Sequence, residues 1–86
     1  MPSISVFFGI IIRMFYNDHE PPHFHAEHQG LQGKFDFSGE MVAGAIESRT
    51  ALRLIREWAA LHRTELAENW RLAKARQPLR QIAPLE

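Results

Sequence analysis

The sequence predicts an α+β fold: a small antiparallel meander of three to four strands, followed by one C-terminal helix or two packed on one face. Between Ile4 and Ala45, short apolar runs alternate with Gly, Pro, Ser and Asn turn signals. Between Ser48 and Arg76 there is no Gly and no Pro, and apolar residues recur every three or four positions. A meander must bury one face and an amphipathic helix one stripe, so packing one on the other satisfies both.

The elements follow in chain order. Ile4 to Tyr16 is mostly apolar, rich in β-branched and aromatic residues, and reads as a buried strand. Gly9 in its middle suggests a bulge or a close backbone approach. Asp18 to Pro22 is a loop, since two prolines cannot donate ladder hydrogen bonds. His23 to His28 is the next strand, Gln29-Gly30 a turn, and Leu31 to Phe37 alternates again. Ser38-Gly39 turns the chain into a short fourth strand over Glu40 to Ala45. Ser48 is the expected N-cap of the helical half. Leu52, Ile55, Ala59, His62, Leu66, Trp70 and Ala73 form one stripe. A break is expected near His62-Arg63-Thr64, with Thr64 capping a second helix. Pro78 ends helical structure and Pro84 marks an irregular tail. The expected organisation is one domain over 1–86: strands over 1–46, helix over 47–77 and tail over 78–86.

Apolar content of 45% and charged content of 23% exclude a disordered chain. With no cysteine, neither a disulfide framework nor a thiolate zinc site is available. The apolar run Ile4–Ile12 is too short to cross a bilayer and lacks a signal peptide's basic leader. A soluble cytoplasmic protein with no membrane partner is the expectation. The zero net charge conceals an asymmetry. Residues 1–46 hold two basic residues against five acidic ones, and 47–86 hold eight against five. The basic half is either a solvated helix face or a surface for RNA or DNA, with Arg53 and Arg56 as its contacts.

The densest chemistry lies in NDHEPPHFHA, Asn17 to Ala26, which carries three of the five histidines. On a strand, His23, His25 and Glu27 share one face, while Phe24, Ala26 and His28 share the other. If Gln29-Gly30 is a two-residue hairpin loop, Phe24 faces Phe35 and Ala26 faces Gly33. On the opposite face His23 then meets Asp36, His25 meets Lys34, and Glu27 meets Gln32. A one-residue slip would turn an apolar set toward solvent, which favours this register.

Several chemistries fit. Histidines at i and i+2 on a strand point the same way, so His23 and His25 with His19 and Glu27 are candidate ligands for a divalent transition metal. A histidine pair is equally suited to general acid–base work, with His19 and Asp18 beside it. Lys34 or Arg13 would then stabilise a phosphate, as in metal-independent RNA cleavage, with Asp36 placed beside His23. The plain alternative is a polar turn, in which Asn17 and Asp18 bond their own backbone and the histidines are cross-strand partners only. Trp58 and Trp70 read as core or interface anchors, and His62 as a satisfied core histidine.

Taken together, SISVFFGIIIRMFYNDHEPPHFHAEHQG, KFDFSGEMVAGAI, ALRLIREWAALHRTELAENWRLA and the closing IAPLE resemble the small bacterial proteins of domain of unknown function 4160. NDHEPPHFHA is the most specific part of the likeness. The resemblance implies importance for Asp18, His19, His23 and His25. It also implies a small cognate protein encoded nearby, as in toxin–antitoxin-type modules. The function expected is one member of such a module, which binds its cognate protein and, if it is the toxin, acts on RNA through the histidine site as a ribonuclease. The alternatives are a non-catalytic metal-binding module and a nucleic-acid-binding regulator that uses the arginine-bearing helix. A homodimer is compatible with the modest core of so short a chain.

Overall fold

The computed structural model describes residues 3–86. They form an antiparallel meander of five strands: β1 (Ser3–Phe7), β2 (Ile10–Arg13), β3 (Phe24–His28), β4 (Leu31–Phe35) and β5 (Met41–Gly44). Two helices follow, α1 (Arg49–Leu61) and α2 (Arg63–Lys74). The α+β class and the element order are those expected, with one strand more.

The extra strand comes from Gly9. The apolar run from Ile4 to Tyr16 is a hairpin rather than one long strand, and Phe7 pairs with Ile10 across it. Phe8 and Gly9 have φ of 50° and 76°, and Gln29 and Gly30 have 53° and 79°. Both hairpins therefore turn through two residues of positive φ, the pair whose twist matches the flanking strands. Continuous apolarity hides the first turn, because Phe8 looks like a strand residue; it is instead exposed.

The β3–β4 register is the expected one: Phe24 faces Phe35, His25 faces Lys34, Ala26 faces Gly33 and Glu27 faces Gln32. Phe24 and Phe35 stack with centroids 5.5 Å apart on the core face. Trp58 of α1 closes over them, 5.5 Å from Phe7 and 5.7 Å from Phe24. Such aromatic pairs contribute roughly 0.5–1.5 kcal/mol each beyond their buried area.

Ser48 caps α1 as expected, its Oγ accepting the Ala51 N–H at 3.1 Å. The helical half breaks at His62 (φ −124°, ψ 29°), and α2 starts at Arg63. Thr64 is therefore inside the first turn and not its cap; the His62 ring meets Glu65 of that turn instead. On one continuous helix Trp58 and Trp70 would sit about 120° apart. The break lets Trp58 face the sheet while Trp70 faces the loop between β2 and β3.

The tail has no regular structure but is firmly docked. The Ile82 N–H donates to the Ile4 carbonyl at 2.8 Å and so covers the β1 edge. Asn69, buried in α2, donates to the Arg80 carbonyl and accepts the Arg80 N–H, both at 2.9 Å. Trp58 Nε1–H donates to the Ala83 carbonyl at 2.9 Å. Among the described residues no helix is long and apolar enough to cross a membrane.

Candidate functional site

The sheet's second face carries no helix. Directly opposed residues project to one side, so Arg13, His25 and Lys34 form a row across β2, β3 and β4. Ala43 of β5 extends the row and is exposed. Arg13 reaches diagonally to Glu27 and ion-pairs with it at 2.8 Å. Glu27 is thereby committed to Arg13 rather than to a histidine.

The loop from Met14 to His23 brings Asp18 to the end of this row. Asp18 Oδ2 lies 3.0 Å from His23 Nε2 and 3.1 Å from His25 Nε2. The imidazole centroids are 5.0 Å apart at 75°, and Phe15 meets His25 edge-on at 4.6 Å. His23 is buried, just before β3, and His25 is half-buried. The far nitrogen of His23, Nδ1, lies 2.9 Å from the Pro21 carbonyl. The Glu20–Pro21 peptide is cis.

Burial holds the His25 pKa below the usual histidine value, against the hydrogen bond and charge of Asp18, which raise it. His23 and Lys34 add smaller lowering effects. His25 is thus kept neutral at pH 7, able to accept a proton or to ligate a cation.

The loop is held from the far end of the chain. Lys74 Nζ donates to the Asp18 carbonyl at 3.0 Å and lies 3.6 Å from the Glu20 carboxylate. Trp70 Nε1–H donates to Glu20 Oε2 at 3.0 Å. The Trp70 ring lies 5.3 Å from His23, with the Lys74 ammonium 5.0 Å above the indole. Arg76 donates to Asn17 Oδ1 at 3.0 Å. Periodicity reveals none of the contacts between loop and helix, because they join positions far apart in the chain, from Trp70 with His23 to Arg76 with Asn17.

The expected site residues divide accordingly. Asp18, His23 and His25 converge, each offering a ligand atom within 4.8 Å of the others. His19 is exposed in the loop and outside that group. Glu27 is outside it too, so two of the four expected metal ligands join and Asp18 replaces the others. Lys34 and Arg13 flank His25. Asp36 does not take up His23: its Oδ1 accepts from the Ser38 N–H (3.0 Å), the Ser38 hydroxyl (2.5 Å) and the Glu40 N–H (3.1 Å). Those bonds, the Ser38 hydroxyl first, hold its carboxyl below the usual range. Asp-Phe-Ser-Gly is an Asx-turn pattern, a signal present in the sequence. Arg53 and Arg56 lie on α1, where Glu57 and Glu40 respectively pair with them. Among the described residues no ion pair or hydrogen bond joins these arginines to the histidines.

Residues 9–71 match the family described as Domain of unknown function (DUF4160). The chain belongs to this family. The matched DUF4160 segment contains Asp18, His23, His25 and Trp70, and ends before Lys74 and the docked tail. No curated protein and no solved structure matches the chain.

Proposed function

We propose that this DUF4160 protein acts on the phosphodiester backbone of RNA, as the effector member of a toxin–antitoxin-type pair with a small protein encoded beside it. The observation that supports this reading most is the Arg13–His25–Lys34 row on the helix-free face of the sheet. Such a row offers a phosphate the Lys34 ammonium and the Arg13 guanidinium, which also pairs with Glu27, with an imidazole between them. Of the two histidines that meet Asp18, His25 is the one with solvent access, and Asp18 orients its ring. His23, buried behind it, does not reach a substrate and instead sets the position of Asp18. The cognate protein would restrain the activity by covering the same face.

Incubating the purified chain with structured and single-stranded RNA tests this. Cleavage is expected, abolished by His25→Ala and weakened about tenfold or more by Lys34→Ala. An intact RNA pool, together with unimpaired growth on expression and no binding to the neighbouring protein, would remove the proposal.

A further inference from the structure

The site has a property that does not depend on RNA. The His23 side chain is only 5% exposed. Its Nδ1 sits 2.9 Å from the Pro21 carbonyl, and a carbonyl can only accept, so Nδ1 carries the hydrogen. In the neutral ring Nε2 is then a bare lone pair. Facing it at 3.0 Å is Asp18 Oδ2, a second acceptor. A buried acceptor in contact with a half-buried one is unfavourable unless positive charge lies between them. His25 Nε2 approaches the same oxygen at 3.1 Å from the other side. A histidine whose remote N–H is fixed by a backbone carbonyl, with its other nitrogen aimed at a carboxylate, is arranged as metal-ligating histidines are.

Spacing agrees with chemistry. Nitrogen and oxygen ligands about 2.0–2.2 Å from a first-row ion stand roughly 3.3–3.6 Å from one another in a tetrahedron and roughly 2.8–3.1 Å in an octahedron. The separations of 3.0 and 3.1 Å match the octahedral spacing and need to widen by only a few tenths of an ångström around a tetrahedral ion. We propose that Asp18 Oδ2, His23 Nε2 and His25 Nε2 bind one divalent first-row transition ion, with Zn²⁺ as its reference. Three protein ligands leave a coordination position for water or substrate, the pattern of catalytic rather than structural zinc. A metal there would supply the positive charge that the two facing acceptors call for. Asp18 belongs to this set because α2 carries the loop that presents it, through Lys74 and Trp70.

The test is calorimetric titration of Zn²⁺ into protein made without a histidine tag and stripped by chelator. One ion per chain is expected. Asp18→Asn and His25→Ala, each checked for folding by circular dichroism, are expected to weaken binding by about tenfold or more. His19→Ala and Glu27→Gln are expected to leave it within about threefold, a conservative margin on the same scale. Absence of stoichiometric Zn²⁺ on the wild-type protein overturns the inference. Unchanged binding by the folded Asp18→Asn protein overturns the ligand set. RNA assays on the same protein separate the two proposals: bound metal with intact RNA refutes only the RNA reading, and cleavage by protein that binds no metal refutes only this one.

Discussion

Trp58 and Trp70 each bury an indole and each donate Nε1–H to one acceptor, yet they hold different parts of the molecule. Trp58 lies against Phe7 and Phe24 on the core face and ties the tail down through the Ala83 carbonyl. Trp70 lies against His23 and ties the 17–22 loop down through Glu20. One indole organises the sheet–helix core and the other organises the polar site. The residue type alone does not distinguish them. The break at His62 does, by turning α2 away from the sheet centre and toward the loop.

Four substitutions break or sharpen that contrast. The largest effect is expected from Trp58→Ala, which removes a fully buried indole and leaves a cavity beside Phe7, Phe24 and the His62 ring. It should cost about 3–5 kcal/mol in denaturant unfolding. Trp70→Phe keeps most of the bulk and removes the bond to Glu20. It should cost about 1 kcal/mol, while weakening Zn²⁺ binding by roughly tenfold because the loop carrying Asp18 loses an anchor. If Trp70→Phe lowered stability and left Zn²⁺ affinity untouched, Trp70 would be a second core anchor and the contrast would fail.

Asp36→Ala probes a turn outside both regions and is expected to cost about 1 kcal/mol or less, since solvent screens that turn. Its pH dependence follows from the lowered carboxyl pKa. The contribution is fully present above the unfolded carboxyl value near 3.8 and is lost as pH falls through the lower folded value. The stability gap between wild type and variant should therefore close in acid. Zn²⁺ affinity should not change. The smallest effect is expected from Lys74→Gln, whose side chain is 42% exposed. Stability should fall by less than about 1 kcal/mol, and proteolysis within the 17–22 loop should accelerate.

How far the sequence could be read differs between these regions for physical reasons. The β3–β4 register was legible because only one pairing sets Phe24 on Phe35 and Ala26 on Gly33. The Ser48 cap was legible because capping is local chemistry. The first hairpin was not, since Phe8-Gly9 interrupts an otherwise continuous apolar run. At the site, the common direction of His23 and His25 followed from strand alternation, and His19 and the Glu27 carboxylate were the expected further ligands. Which carboxylate could not be read the same way. Asp36 lay opposite His23 by register but was captured by its own turn. Asp18 lay in a loop whose course depends on Trp70, Lys74 and Arg76, contacts with no local signature.

The central claim is that Asp18, His23 and His25 converge on one point while the other three histidines do not. Long-range ¹H–¹⁵N NMR of the imidazole nitrogens during a Zn²⁺ titration tests it directly. The expected result is His23 protonated at Nδ1 throughout, with Nε2 of His23 and of His25 shifting together and saturating at one equivalent. His19, His28 and His62 should stay where they were. Movement of His19 with either partner, or saturation that leaves His23 unmoved, would contradict the account.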